Sequence, residues 1–146
     1  MNAISYYEHY NNEMSKGLED KLFFMNKIDV RNILDYGCAD GSLIYEMRKY
    51  FPEKHYVGYD LDHLMIDIEN QHLQKNCHFY DNLSRANMKL RSHQGNNMVL
   101  CSSLIHEVYS YGNTESINSF WNNLYCGNYD YVVIRDMALS ENEVSD

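Results

Sequence analysis

RNILDYGCADGSLIYEMRKYFPEKHYVGYDLD, residues 31–62, is the stretch of the sequence that decides the fold. Its first apolar run, residues 32–36, has the length and composition of a buried strand. A turn of small residues, Gly37 to Gly41, follows this run and lets the backbone approach a ligand closely. Residues 42–51 place apolar side chains on one face of a helix, and Pro52 ends that helix. The order of these elements predicts the first half of a β-α-β unit.

The second half of this unit ends on an acidic residue. Residues 55–59 read as another short strand, and Asp60 follows it, 23 positions after Gly37 (60 − 37). Nucleotide-binding β-α-β units carry a carboxylate roughly 20 residues after the glycine turn, at the tip of the second strand, where it binds ribose hydroxyls. A helix that begins at a glycine turn also offers main-chain N–H groups to a ligand. The stretch therefore predicts a nucleotide-type site at the carboxyl ends of these two strands.

The turn does not have the pattern of a dinucleotide site. That pattern is G-x-G-x-x-G, whereas the turn here reads G-C-A-D-G and lacks the third glycine. It has instead an acid, Asp35, two positions before the first glycine, which gives D-Y-G-C-A-D-G. In this form the turn resembles the first motif of the class I S-adenosylmethionine-dependent methyltransferases, a strand followed by D-x-G-x-G-x-G, with Ala39 in place of the middle glycine. A nicotinamide-dependent oxidoreductase is disfavoured by the same pattern.

This resemblance covers residues 6–136 and implies a fold, a cofactor and a set of site residues. The implied fold is an α/β doubly wound, mainly parallel sheet of about five strands in the order 3-2-1-4-5, with helices on both faces. The implied cofactor is S-adenosylmethionine, with its methionine part against the first motif and its ribose hydroxyls on Asp60. The residues that the resemblance implies in cofactor binding are Asp35, Gly37, Cys38, Ala39, Gly41, Asp60, Leu61, Asp81, Asn82, Ser102 and Ser103.

Asp81 and Asn82 follow a predicted third strand at residues 77–80. In the resembling family an acidic or amide residue at this position hydrogen-bonds the adenine amino group. An Asp-Asn pair after a strand is also ordinary turn chemistry. Both interpretations are open, and the register with the first two strands favours the cofactor.

A predicted fourth strand, residues 97–101, is followed by S-S-L-I-H-E-V. In the resembling family the residues that leave this strand face the transferred methyl group, which implies a role for Ser102 and Ser103. His106 is the candidate catalytic residue, because a histidine titrates near neutral pH and accepts a proton from a nucleophile. The alternative is that His106 caps or packs the following helix and that Glu107 is solvated, since methyl transfer often needs only positioning.

A continuous apolar run, residues 129–134, predicts a buried fifth strand, and Arg135 and Asp136 follow it. This charged pair is either a structural salt bridge or a substrate contact. The resembling family usually adds an antiparallel hairpin at one edge of the sheet, and no such hairpin fits in residues 138–146. We expect either a minimal member of the family or a fragment of a longer protein, and we favour the fragment because an exposed fifth strand would leave an open apolar edge. A dimer or a partner subunit that covers this edge is the other expectation.

The remaining segments complete a single predicted domain, residues 1–146. Residues 1–27 form a helical cap whose tyrosines are candidates for ligand contact, residues 28–137 form the Rossmann-like core, and residues 138–146 form a tail. Residues 109–113 read as a loop. The helix that follows this loop turns Ile117, Phe120, Trp121 and Leu124 inward.

Composition limits the classes of function. The hydrophobic content of 45% fits a globular chain, and the net charge of −9 disfavours broad binding to nucleic acid. The four cysteines form no C-x-x-C pair, so we expect reduced thiols, no metal site and a cytoplasmic location. No apolar run approaches the roughly 18 residues of a membrane span. Two functions are favoured: a methyltransferase with an unidentified acceptor, or a non-catalytic methyltransferase-like module that binds the cofactor or a partner. Lyases and hydrolases that consume S-adenosylmethionine are also compatible with the first motif.

Overall fold

The computed structural model describes residues 22–72 and 74–136, and its centre is a sheet of five parallel strands. All neighbouring strands are parallel, and their order is β3-β2-β1-β4-β5. The strands are β1 (Asn32–Tyr36), β2 (His55–Tyr59), β3 (Cys77–Tyr80), β4 (Asn97–Ser102) and β5 (Tyr131–Arg135). The predicted doubly wound α/β fold with the order 3-2-1-4-5 is confirmed.

Helices connect the strands and cover both faces of the sheet. They are α1 (Ser42–Tyr50), α2 (His63–Asn70), α3 (Leu83–Arg91), α4 (Ile105–Tyr111) and α5 (Thr114–Cys126). Alternate residues of β1 point to opposite faces. Ile33 packs in a core with residues of α1 and α2, whereas Leu34 packs in a second core with residues of α3 and α5. Both faces of the central strands are therefore buried, which explains their continuous apolar sequence.

The strand order reverses between β1 and β4. The chain moves outward from β1 to β2 and β3, and then returns to place β4 on the other side of β1. Loops that leave β1 and β4 consequently diverge to opposite faces and open a crevice at the carboxyl ends of these strands. In open α/β sheets this crevice is where ligands bind.

Three elements differ from the sequence predictions. Residues 109–111, predicted as loop, continue helix α4, and the main-chain N–H of Gly112 closes its last turn on the carbonyl of Val108. The fifth strand was predicted to be buried, but it lies at the edge of the sheet in the described part of the chain, and of its apolar side chains only Val133 is buried. Trp121 was predicted to face inward and is 38% exposed. The side chains of β5 that are exposed by 39–46% are Tyr131, Val132 and Ile134.

The predicted helical cap is described only from residue 22 onward. There, Phe23–Asn26 forms a short 3-10 helix rather than an α-helix, and Phe24 and Met25 pack into the core. The tyrosines of the predicted cap and the predicted tail lie outside the described residues. No helix among residues 22–72 and 74–136 has the length and apolar character needed to cross a membrane.

Candidate active site

The turn between β1 and α1 is fastened to the end of β2. The main-chain N–H groups of Gly37 and Cys38 both donate to the carbonyl oxygen of Tyr59, at 2.8 and 2.9 Å. The next N–H, of Ala39, donates to Oδ2 of Asp60 at 2.8 Å. Three successive residues of the turn are thus held by the last residue of β2 and the acid that follows it. This arrangement fixes the turn through its main chain, and the side chain of Leu104 packs against it at Gly37.

Positive φ angles and close contacts explain the small residues of this turn. Gly37 has a φ of 86°, and a Cβ atom there would lie 2.9 Å from Cδ1 of Leu104. Gly41, the residue before α1, has a φ of 75°, and a Cβ atom there would lie 3.0 Å from the ring of Phe79. L-residues with side chains rarely adopt these angles. Ala39 adopts one of them, with a φ of 46°, at the position where the family pattern has glycine.

Asp60 engages two main-chain donors and keeps capacity for more. Its Oδ2 accepts from Ala39, and its Oδ1 accepts from the main-chain N–H of Asp62 at 2.9 Å. A carboxylate has about four lone-pair sites, so each oxygen can accept a further hydrogen bond. Asp60 also lines the main cavity. It is therefore placed to accept hydroxyl groups of a ligand while it holds the turn.

Asp35 lies beneath the turn rather than in the cavity wall. Its side chain is 3% exposed, and its carboxyl group makes no hydrogen bond within residues 22–72 and 74–136. Burial, and secondly the negative charge of Asp60, raise the pKa of Asp35 to about 7. A buried carboxylate without a partner is unfavourable. A cation held above the turn would relieve this cost and would favour the ionised form.

A cavity of about 920 Å³ opens beside the turn, within the size range of small-molecule sites. It lies between the ends of β1, β2 and β4 on one side and helices α4 and α5 on the other. The sequence-predicted residues that line it are Gly37, Ala39, Asp60, Leu61, Ser102 and Ser103. The structure thus brings together candidates from three separate strand ends.

The other candidates lie outside this lining. The thiol of Cys38 is buried beneath the turn, where an added Cβ on Gly58 would lie 2.9 Å from its sulfur. Oδ2 of Asp81 lies 2.6 Å from Nδ1 of His63, and Oδ1 of Asn82 accepts the N–H of Arg85 and caps α3. These side chains serve local contacts in the structure. The assignment of Asp81 and Asn82 to adenine binding stays a prediction.

His106 does not face the cavity. The lining residues around α4 are Leu104, Glu107, Val108 and Tyr111, which recur at helical spacing and define one face. His106 lies on the opposite face, where its Nδ1 is 2.7 Å from Oδ1 of Asp136. The geometry therefore favours the alternative in which His106 packs against its surroundings, and it puts Glu107 on the cavity side.

Sequence reasoning missed the wall that α5 and the end of β1 form together. The hydroxyl of Tyr36 accepts a hydrogen bond from Nδ2 of Asn123 at 3.1 Å. The ring of Tyr36 also makes edge contacts with Tyr59 and Phe120, with centroids 5.1 and 5.4 Å apart. All four residues line the cavity. The sequence feature that could have identified Tyr36 as a cavity residue is its position in the D-Y-G motif, at the carboxyl end of β1.

The lining is acidic and aromatic. Its charged residues are Asp60, Glu107 and Glu115, and no Lys, Arg or His side chain belongs to it among the described residues. Such a wall repels ligands with several negative charges, such as nucleic-acid phosphates, and attracts ligands with a net positive charge.

Comparisons with known proteins agree with this architecture. The family model described as a methyltransferase domain matches residues 6–138, which is most of the chain. The methyltransferase domain of bacterial Hen1 (CtHen1-C) superposes with a TM-score of 0.57 over 80% of this chain, at 14% identity. The 16S rRNA methylase ArmA superposes with a TM-score of 0.52, at 15% identity, and the match covers 97% of this chain and 79% of ArmA.

A chain of the Pnkp1/Rnl/Hen1 RNA repair complex also has this fold, with a TM-score of 0.53 at 14% identity over 79% of this chain. The present chain spans 65% of the Hen1 methyltransferase domain and 26% of that complex chain. No curated protein matches it in sequence. These structural likenesses, at low identity, establish the shared fold. Because the family model covers nearly the whole sequence, the chain belongs to the methyltransferase-domain family, with the sheet of the class I S-adenosylmethionine-dependent methyltransferases.

Proposed function

We propose that this chain transfers the methyl group of S-adenosylmethionine to an uncharged or cationic small-molecule acceptor. The observation that supports it most is the convergence of the turn after β1, Asp60 after β2 and the serines at the end of β4 on one cavity of about 920 Å³. Binding at strand ends on both sides of a reversal in strand order is the general arrangement of ligand sites in such sheets.

The residues present fit S-adenosylmethionine. A positively charged, hydroxyl-bearing ligand suits Asp60, whose oxygens have free lone pairs, and it suits the buried carboxyl of Asp35, which has no hydrogen-bond partner in the described residues. Gly37 and Ala39, which have no side chain or a small one, line the cavity at the turn. When bound, the cofactor supplies a methyl group already activated by its sulfonium.

The tasks left to the protein are orientation and the exclusion of water. Ser102 and Ser103 at the end of β4 and Tyr36 at the end of β1 border the space that an acceptor would occupy. Glu107 supplies a carboxylate on the α4 side of that space. It is placed to accept a hydrogen bond, or a proton, from an acceptor hydroxyl or ammonium group.

The negative charge of the cavity lining favours an acceptor without phosphate groups. The two named relatives are associated with RNA: ArmA is a 16S rRNA methylase, and Hen1 occurs in an RNA repair complex. Nucleic-acid recognition depends on Lys and Arg near the phosphates. The described lining has three carboxylates and no basic side chain, and the whole chain carries a net charge of −9. A phosphate-bearing acceptor would meet repulsion at this site.

A non-catalytic cofactor-binding module is the second candidate. It is favoured by the position of His106, which leaves no histidine among the described cavity residues. Binding of the cofactor without turnover on any acceptor would identify this second function.

Calorimetry with S-adenosylmethionine, S-adenosylhomocysteine and NAD tests the proposal. We expect micromolar binding of the first two ligands and none of NAD. A second assay measures release of S-adenosylhomocysteine with panels of amines, phenols and short RNAs. Turnover with amines or phenols but not RNA is expected, whereas turnover with RNA alone would overturn the acceptor class. Absence of binding by both adenosyl ligands would overturn the function itself.

A further inference from the structure

We propose that Asp136 is a positioning residue that caps helix α4 from the end of β5 and thereby fixes the α4 wall of the cavity. The capping contact stands on its own geometry, and its consequence for methyl transfer rests on the proposed function. The residues of this wall are Leu104, Glu107, Val108 and Tyr111.

Helix α4 begins without a cap of its own. Its N-cap residue is Leu104, whose side chain makes no capping hydrogen bond. The first turn of any helix has main-chain N–H groups without an intrahelical acceptor. Oδ2 of Asp136 accepts one of them, from His106, at 3.2 Å. A carboxylate at a helix N-terminus is favoured both as an acceptor and by the helix dipole.

The side chain of His106 makes a second contact with the same carboxylate. Its Nδ1 lies 2.7 Å from Oδ1 of Asp136, so one residue of α4 occupies both oxygens of the carboxylate. The Asp136 side chain is only 11% exposed. Little solvent competes for the two hydrogen bonds, and the pair defines both the position and the rotation of the first turn of α4.

Few other contacts hold α4. It has no buried residue, whereas α1, α3 and α5 each bury two or more. The hydroxyl of Tyr109 accepts a hydrogen bond from Nε1 of Trp121 at 2.9 Å, which links α4 to α5 on the exposed side. Ile105 and Val108 of α4 pack against the second core but are only partly buried. Because no residue of α4 is fully buried, the carboxylate of Asp136 contributes to setting where this helix lies.

The residue before Asp136 holds the start of the same segment. The carbonyl oxygen of Arg135 accepts the main-chain N–H of Ser103 at 2.6 Å, and Nη1 of Arg135 lies 3.4 Å from the Ser103 hydroxyl. Ser103 has a φ of 56°, a left-handed conformation that needs such support. Strand pairing explains the contact, because Ser102 is the register partner of Arg135. Arg135, the last residue of β5, and Asp136, which follows it, thus contact the turn and the helix that follow β4.

The decisive comparison is between Asp136→Asn and Asp130→Asn. Asp130 is a matched control because its Oδ2 accepts the main-chain N–H of Asn97 at 2.8 Å, at the opposite end of the same two strands and outside the cavity lining. Hydrogen exchange of residues 105–111 measures the opening of α4. Trp121, the single tryptophan of the chain, reports by its emission on the contact with Tyr109.

Asp136→Asn keeps one acceptor oxygen but loses the negative charge and the second oxygen, so we expect exchange in residues 105–111 to accelerate by about 2- to 5-fold, the range that corresponds to loss of a charge at a helix N-terminus. The emission of Trp121 should shift, while exchange in β1 and β4 stays as in the wild type. Asp130→Asn should leave the exchange of α4 and the emission unchanged. Asp136→Glu should recover part of the protection, because it keeps a carboxylate.

Once an acceptor is known, Asp136→Asn should raise its KM more than that of S-adenosylmethionine. Wild-type exchange and emission in Asp136→Asn would overturn the proposal, as would equal loosening of the whole sheet in both variants. If Asp136→Asn does not fold, His106→Ala tests the same contact with a smaller expected effect, since it removes only the ring. These exchange results do not depend on cofactor binding by the wild-type chain, so failure of the proposed function would be seen separately.

Discussion

The carboxylate of Asp60 accepts the main-chain N–H of Ala39 at 2.8 Å, so the acid that ends β2 closes the turn that follows β1. One side chain thereby links two strand ends, and its remaining lone pairs face the cavity. The same carboxylate therefore determines the shape of the turn and is placed to bind the hydroxyl groups of a ligand.

Asp60→Ala should lower the affinity for S-adenosylhomocysteine by at least about tenfold, because it removes charge-assisted acceptors and releases the N–H of Ala39. Asp62→Ala is the matched control. Asp62 caps α2 by accepting from the main-chain N–H groups of Leu64 and Met65, and it does not line the cavity. Its loss should reduce stability by about 1 kcal/mol and leave affinity unchanged. Calorimetry and urea unfolding of both variants separate the two effects.

Gly41→Ala and Ala39→Gly should have opposite effects on stability. At Gly41 a methyl group would combine a φ of 75° with a ring carbon of Phe79 at 3.0 Å, so we expect a loss of about 1–3 kcal/mol. At Ala39 the residue already has a φ of 46°, and glycine would remove that strain at an entropic cost, for a net gain of up to about 1 kcal/mol. Urea unfolding measures both. A destabilised Ala39→Gly variant would contradict the conformation of the turn.

Asp35 should make the ligand-free protein less stable as pH rises through the range from about 4 to 7. Its pKa is near 3.8 in an unfolded chain and about 7 in the folded one, so the folded state holds a proton that the unfolded state has lost. The difference corresponds to a cost on the order of 4 kcal/mol above pH 7.

Asp35→Asn should therefore be more stable than the wild type above pH 7, and the gap should shrink as pH falls to 4. Cation binding above the turn favours the carboxylate, so S-adenosylmethionine should bind with proton release near pH 6 in the wild type and without it in the variant. Calorimetry in buffers of different ionisation enthalpy measures this proton. A constant stability gap across the pH range would contradict the buried, unpaired carboxyl group.

His55 should have the opposite pH effect at the other end of the sheet. Burial, and secondly the charges of His93, His78 and Lys89, lower its pKa to about 3. The folded state keeps the ring neutral while the unfolded state takes up a proton below pH 6.5, so stability is lost as pH falls from 6.5 toward 3. Both ring nitrogens are buried and have no hydrogen-bond partner in the described part of the chain.

His55→Phe should be more stable than the wild type by about 1–3 kcal/mol at pH 7, because it removes unsatisfied polar atoms and keeps a flat ring on His93, whose centroid lies 3.7 Å away. The gain should grow as pH falls to 4. The exposed His72 provides the control, because the stability difference between His72→Phe and the wild type should not increase as pH falls. Thermal unfolding at several pH values measures both, and a gain independent of pH would contradict the assignment.

Local sequence patterns predicted the first β-α-β unit, and the resemblance of its turn to the methyltransferase motif implied the strand order and the part of the site nearest to the turn. Residues 31–62 contain β1, α1 and β2 together with their ligand-facing ends, so Gly37 and Asp60 could be predicted from a single continuous stretch. The fold and the cofactor are confirmed. The individual cofactor contacts remain predictions, including those of Cys38 and Asn82, whose side chains are turned toward the protein.

The other wall depends on contacts between distant residues and could not be predicted. The main-chain N–H and the ring of His106, at the start of α4, contact Asp136, 30 residues later. In this arrangement His106 lies on the face of α4 away from the cavity, and Glu107 lies on the cavity face. Similarly, Tyr36 becomes a cavity residue because Asn123, 87 positions further on, holds its hydroxyl.

The attachment of the turn to β2 couples ligand binding to the folding of the sheet. The hydrogen-bond acceptors that hold the turn belong to the end of β2. The pocket therefore forms only after β1 and β2 have paired, and the ligand binds only the folded sheet. A ligand of this kind shifts the folding equilibrium by mass action. We therefore expect the methyl donor to raise the share of this polypeptide that resists proteolysis, so that a shortage of the donor would lower the amount of folded protein.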